Sequence, residues 1–234
     1  MSELNTAPFG RTAGGVVTAD TNRVLRNTYF LLALSMVPTA LGAMLGIQFG
    51  FFTLFAGSPI LSFVVMLAAM FGFIWGIQRN QNNGFGVVLM LGFTFFMGLM
   101  LSRILSVALS FSNGGAIIGM AALGTGVLFF GLASYAAVTK RDFTTMGKTL
   151  FIVLIMVMVA SVANIFLKMP ALSLTLSTLC VGLFSMFLLY DLQRVMRGGE
   201  TNYIAAALAI YLDLYNLFVN LLQLLMAFAG GDRE

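Results

Sequence analysis

Residues 201–231 read TNYIAAALAIYLDLYNLFVNLLQLLMAFAGG, a 31-residue apolar run interrupted by a single charge, Asp213. One α-helix needs about 20 predominantly apolar residues to cross the hydrocarbon of a bilayer. The run is therefore long enough to cross once, and Asp213 lies inside the crossing. Asp213, Asn216, Asn220 and Gln223 fall at i, i+3, i+7 and i+10, within a sector of about 80° on a helix. A polar stripe of that length cannot face lipid. The helix that bears it is expected at the centre of a bundle, wrapped by its neighbours.

The charges upstream divide the chain in the same way. Arg26 to Arg79 encloses 52 uncharged residues, enough for two crossings broken near Phe55–Pro59. Uncharged runs of 23 (80–102), 36 (104–139), 19 (149–167) and 22 residues (169–190) each supply one more, with a polar turn at Ser112–Gly115. The expected fold is all-α: a polytopic membrane protein of seven transmembrane helices, the seventh central. Barrel strands would alternate over about ten residues, and these runs do not. The organisation expected is a flexible cytoplasmic tail over 1–26, a seven-helix domain over 27–231 and a short C-terminal tail over 232–234. The tail lacks the short apolar core of a cleavable signal peptide.

Composition supports this reading. Of 234 residues, 60% are hydrophobic and 9% charged, with a mean hydropathy of +1.00. A soluble domain carries roughly 25% charged residues, so a soluble enzyme and a disordered chain are both excluded. The absence of His removes His general bases and His metal sites, and the one cysteine, Cys180, permits no intrachain disulfide or thiolate cluster. No GxSxG or SxxK pair occurs, and Gly124-Thr125-Gly126 is followed by Phe129 where a dinucleotide fingerprint needs glycine. Asp191 and Asp213 lack the flanking glycines of an intramembrane aspartyl protease. The chain is read as non-enzymatic.

Nine Lys and Arg residues fall in the tail and the even-numbered connections: Arg11, Arg23, Arg26, Arg79, Lys140, Arg141, Lys148, Arg194 and Arg197. Arg103, Lys168 and Arg233 fall on the other side. This asymmetry places the N-terminus in the cytoplasm and the C-terminus outside. It accounts for the net charge of +4 without nucleic acid as a partner, and membrane lipid is the expected surrounding. Gly42/Gly46, Gly72/Gly76 and Gly115/Gly119 form GxxxG pairs, read as close packing within the bundle rather than dimer seams. The oligomeric state is not legible.

Two acidic residues stand apart from the tails and connections. Asp191 sits at the end of the sixth run and Asp213 within the seventh. Their numerical midpoint, residue 202, lies in the connection between the two helices, so an antiparallel hairpin brings them to one depth. Intramembrane acids are costly and functional by default. Two facing carboxyls in a low-dielectric site do not both ionise, so the pair shares a proton and forms a pH sensor without histidine. Carboxylate oxygens also suit calcium, as a permeant or bound ion at Asp191 and Asp213. Asn216, Asn220 and Gln223 could line a path for a cation or simply hydrogen-bond between helices. Sparser polar groups, Asn164, Ser173 and Ser177, lie along the fifth and sixth helices. Arg79 is a candidate latch, pairing with Asp191 to hold a pore shut, or alternatively an anchor snorkelling to headgroups. Trp75 reads as an interfacial anchor.

Tyr190-Asp191-Leu192-Gln193 resembles one motif of the transmembrane Bax-inhibitor-motif (Bax inhibitor-1) family, and Leu208–Phe218 (LAIYLDLYNLF) resembles its last-helix signature. Residues 23–30 (RVLRNTYF), 163–167 (ANIFL) and 198–204 (GGETNYI) resemble its bacterial YccA branch. The resemblance implies seven helices around a central seventh, in a bacterial inner (plasma) membrane. It implies a pH-sensitive calcium leak with Asp191 and Asp213 as sensor, and a second-helix arginine as latch. The YccA-like branch implies an alternative: modulation of the membrane-anchored AAA protease FtsH, which could engage the N-terminal tail.

Overall fold

A computed structural model describes residues 13–51 and 59–231, with side chains over 21–51 and 64–230. Among these residues the chain is helical throughout, with no strand. In order, the helices are α1 (Ala13–Gln48), α2 (Pro59–Arg79), α3 (Gly84–Leu109), α4 (Gly114–Val138), α5 (Gly147–Leu167), α6 (Pro170–Met196) and α7 (Tyr203–Gly231). Six of them are long and apolar enough to cross a membrane, and the part of α2 with described side chains, Val64–Arg79, is a shorter apolar helix.

Helix α7 packs against α1, α2, α3, α4 and α6, while α5 rests on α6. Its inner face buries Ile204, Ala207, Ile210, Tyr211, Leu217 and Leu222. These side chains join Met90 and Phe93 of α3 and Leu188 and Leu192 of α6 in two adjoining cores. By contrast α5 exposes Phe151, Ile152, Met156 and Val159, the surface of a helix that faces hydrocarbon rather than protein.

The helix ends differ from the charge-based boundaries in two places. Helix α1 begins at Ala13, within the stretch read as tail; residues 1–12 lie outside the described residues. Once a long helix is nucleated, each added residue gains a hydrogen bond at little further cost, so a modestly polar stretch continues it. Helix α3 runs through Arg103 to Leu109, and Arg103 is exposed. A long basic side chain can leave its helix for the headgroups without ending it. The break expected near Phe55–Pro59 falls partly in residues outside the description, and α2 opens on Pro59, where a missing backbone N–H costs nothing.

The close-packing glycines divide. A Cβ on Gly42 would strike the Phe95 carbonyl of α3, and one on Gly46 would strike Ser102. Gly98 of α3 answers from the other side, against the Thr39 carbonyl of α1. This seam is the closest in the bundle. A Cβ on Gly72, Gly115 or Gly119 would meet nothing within 4 Å among the described residues, so their spacing marks no close seam there.

Candidate functional site

The α6–α7 connection is built by its own side chains. Helix α6 ends at Arg197, and Gly198 takes a φ of +73°, the left-handed conformation that glycine adopts without strain. The N–H groups of Gly199 and Glu200 return to the Arg194 carbonyl at 2.8 and 3.1 Å. Glu200 places one carboxylate oxygen 2.7 Å from Arg194 and accepts from the Asn202 backbone at 3.0 Å with the other. Asn202 then caps α7. Its Oδ1 accepts from the N–H groups of Ile204 and Ala205 at 2.9 and 3.1 Å. Residue 202 is thus the start of α7 rather than the apex of a symmetric hairpin.

Two other connections are fastened to this turn. The Asn202 amide donates to the Gln81 carbonyl at 2.8 Å and to Asn82 Oδ1 at 3.0 Å, holding the α2–α3 turn. Gln193, fully buried, holds the α4–α5 connection by both ends of its amide. Its Oε1 accepts from Phe143 N–H at 2.9 Å, and its Nε2 donates to the Arg141 carbonyl at 3.0 Å. Arg197 adds a 2.7 Å bond to the same carbonyl and a 3.1 Å ion pair with Asp142. The Thr144 hydroxyl and backbone N–H donate to Asp142 at 2.7 and 2.9 Å. These bonds, with Arg197 nearby, hold the Asp142 carboxyl below the usual carboxylate range. Three connections therefore form one polar end of the bundle.

Within this end the two intramembrane acids meet. The Asp191 and Asp213 side chains lie next to each other between α6 and α7. Asp213 is 5% exposed, and its Oδ2 is buried with no hydrogen-bond partner among the described residues. Burial disfavours charge, and two neighbouring carboxyls disfavour ionising together. Beside Asp191 stand Arg194 and Glu200. A cleft of about 10 Å³ lined by Asp191, Arg194, Glu200, Ala205 and Ala209 has room for roughly one water molecule. Among the described residues no group of three or more Cys, Asp or Glu side chains gathers as a metal cluster.

The remaining sequence-derived residues lie as follows. Asn216 and Asn220 donate to the carbonyls of Leu212 and Asn216 on their own helix, both at 2.8 Å. Gln223 alone reaches another helix, accepting from Ser177 of α6 at 2.8 Å. Asn164 accepts from Met169 N–H at 3.1 Å and shapes the α5–α6 turn. Arg79 stacks over Trp75, 5.3 Å from the ring centroid. The cation the structure sets beside Asp191 is Arg194, not Arg79. Arg194 lies one turn beyond Asp191 on the same helix, although its ion pair is with Glu200.

Sequence reasoning missed Gln193, Arg194, Glu200 and Asn202 as parts of this site. It also missed Tyr211, which is 2% exposed and bonds Thr39 of α1 at 2.9 Å. The Thr39 hydroxyl donates to the Ser35 carbonyl, so Tyr211 is the donor. The only signal available was periodicity: Tyr211 and Asn202 fall outside the polar stripe that drew attention to α7.

A helical membrane bundle with a carboxyl pair clamped between its last two helices is the class of protein these features define. The family model described as "Inhibitor of apoptosis-promoting Bax1" matches residues 21–230. The chain belongs to this Bax inhibitor family. It is 37% identical over 212 residues to the "Modulator of FtsH protease YccA" of Escherichia coli K12, covering 91% of this chain and 93% of that one. It is 38% identical over 229 residues to an uncharacterized membrane protein of Vibrio cholerae, covering 98% of this chain and all of the other. An uncharacterized protein of Neisseria meningitidis serogroup A is 38% identical over 216 residues, 92% of this chain and 95% of its own length.

Proposed function

We propose that this chain modulates a membrane-anchored AAA protease of the FtsH type by protein–protein contact in a bacterial inner membrane. The observation that carries this reading is the 37% identity, over nearly the full length of both chains, to a relative named for that activity. The orientation proposed follows the Lys and Arg asymmetry: seven crossings, N-terminus in the cytoplasm and C-terminus outside. The clamped polar end then faces the cytoplasm. It offers a preformed surface of Lys140, Arg141, Arg197 and the α2–α3 turn. Rigid presentation favours such a contact because little ordering entropy remains to be lost. The test is co-purification of the tagged chain with FtsH, together with the half-life of an FtsH substrate at raised and lowered levels of this chain. A half-life indifferent to this chain, with no co-purification, rejects the reading.

A second reading rests on the buried carboxyl pair: a pH-sensitive cation leak, with calcium as the permeant species and Asp191 and Asp213 as the sensor. The orphaned Asp213 Oδ2 supports it, since a buried acceptor without a partner calls for a proton, a water or a cation. Arg194 and Glu200 are the charged groups near its neighbour Asp191. Asn216, Asn220 and Gln223 would line the path only if their present bonds opened. Calcium flux into liposomes across a pH series tests it. Asp191→Asn and Asp213→Asn should each abolish the pH response, and the double variant should add little. A full response in both single variants rejects the sensor.

A further inference from the structure

Helices α1 and α4 both pack on α7, yet between them lies a groove of about 810 Å³. That volume is within the range of sites for small molecules, about 300–1,000 Å³. The groove exists because its walls are small. Ala33 and Ala40 face it from α1, and Ala122 and Gly126 from α4. A Cβ on Gly126 would meet nothing within 4 Å. Its floor is Tyr211 and Leu214 of α7. Its rims are open, with Met36 41% and Phe130 69% exposed. Along α1 it runs from Tyr29 to Ala43, about 21 Å at the rise of an α-helix. That exceeds the roughly 15 Å of hydrocarbon in one leaflet, half of a core about 30 Å thick.

The two ends of the groove are unlike. Toward the polar end it narrows where Tyr29 and Phe129 meet edge to face, 6.1 Å between centroids. One turn beyond Tyr29, Arg26 stands exposed near the same face of α1. It has no ion pair among the described residues. Lys140, exposed, follows the end of α4. An apolar trough open to the bilayer and headed by cations matches one chemistry in its surroundings: an acyl chain attached to an anionic headgroup. A second copy of the chain would bring an apolar helix and leave Arg26 and Lys140 unanswered.

We propose that the α1–α4 groove seats an acyl chain of one anionic phospholipid of the surrounding bilayer, with its phosphate at Arg26. The inference rests on the helices spanning the membrane and is independent of protease modulation or ion flux. The occupant would lie against Tyr211, two residues from Asp213, and would bridge α1 to α4 where the protein itself does not.

Full-length protein purified from bilayers of equal parts phosphatidylethanolamine and phosphatidylglycerol should retain one phospholipid per chain in native mass spectrometry. Phosphatidylglycerol should be preferred about fivefold, the selectivity one surface cation gives. Ala40→Phe and Gly126→Phe fill the groove from opposite walls, and each should lower retention by about tenfold or more. Arg26→Gln should retain lipid but lose the headgroup preference. Melting temperature and helical circular dichroism establish that each variant folds. Should one filled variant fail to fold, the other carries the result; should both fail, a photoactivatable phosphatidylglycerol labelling the parent at α1 and α4 takes their place. The proposal is overturned by a parent that strips clean of lipid or by filled variants that retain as much as the parent. It is also overturned by unchanged headgroup preference in Arg26→Gln, by retention of free fatty acid in place of phospholipid, by photolabelling elsewhere, or by a dimer that the filled variants abolish.

Discussion

Replacing Gln193 by Met keeps the volume and flexibility of the side chain and removes both ends of its amide. In the parent those ends hold Phe143 N–H at 2.9 Å and the Arg141 carbonyl at 3.0 Å from a position with no solvent exposure. The carbonyl keeps a second partner in Arg197 at 2.7 Å, so it is not orphaned. The Phe143 N–H has no replacement. Each lost bond costs about 0.5–1.5 kcal/mol net, and a donor left buried about 1–3 kcal/mol. Phe143 is only half-buried, which lets water reach the freed N–H and keeps the cost toward the lower end. The expected loss is about 1–3 kcal/mol, concentrated in residues 139–147, because both partners of the amide lie in that connection. Hydrogen exchange at the Phe143 amide should therefore accelerate by about 5- to 140-fold, at roughly tenfold per 1.4 kcal/mol. Amides of α3 and α7 should stay protected. Trypsin should cut faster at Lys140 and Arg141. Exchange at Phe143 unchanged in Gln193→Met would show that the clamp does not hold the connection.

Gly98→Leu forces a side chain against the Thr39 carbonyl and should cost about 1–3 kcal/mol of stability or more, read as a lower melting temperature in detergent. Gly119→Ala, where nothing lies within 4 Å, should be neutral or gain up to about 1 kcal/mol from helix propensity. The Asp142 carboxyl is depressed by Thr144 and Arg197, so its contribution is fully present above the ordinary value of 3.8 and is lost as pH falls through the lower, folded value. Protection of the Thr144 amide should accordingly hold at pH 5 and fall only below the ordinary range, and Asp142→Asn should remove that pH dependence. Deleting residues 1–12 leaves α1 whole from Ala13 and should preserve insertion while weakening co-purification with FtsH; unchanged co-purification would move the contact to the clamped connections.

What the sequence made legible was whatever charge and periodicity encode. Uncharged runs located the helices, because lipid penalises charge along a whole span. The angular coincidence of Asp213 with Asn216 and Asn220 pointed to a central α7, because one face of that helix could not meet lipid. The two acids could be paired because the chain between them is short enough to fold back. Arg79 could be set against Asp191 on charge and side alone; it stacks over Trp75, while Arg194, paired with Glu200, stands nearer Asp191, since only geometry distinguishes cations on the same side of a bundle. The GxxxG spacing located the α1–α3 seam at Gly42 and Gly46 but said the same of Gly115 and Gly119, where an added Cβ would meet no described residue. Spacing encodes which face is small and not what stands opposite. Gln193 and Asn202 escaped because a single amide near a helix end carries no periodic signal; its meaning lies wholly in its partners on distant connections.

Those partners also join the two proposed activities. On the last turns of α6, Asp191 and Gln193 are two residues apart, about 160° around the helix. One face carries the carboxyl that meets Asp213; the other carries the amide that holds Phe143. Hydrogen bonds of 2.9 and 3.0 Å weaken beyond about 3.2 Å, so a movement of α6 by a fraction of an ångström is felt at the α4–α5 connection. A helix end this short moves as a unit. Protonation or ion capture at the carboxyl pair thus has a direct route to the surface proposed for protease contact, through one rigid element with two occupied faces. If that route operates, Asp213→Asn should alter hydrogen exchange at Phe143, although no described bond joins the two residues. If Phe143 exchange is indifferent to both aspartate variants, the two faces of α6 act separately, and the carboxyl pair has no part in presenting the connection.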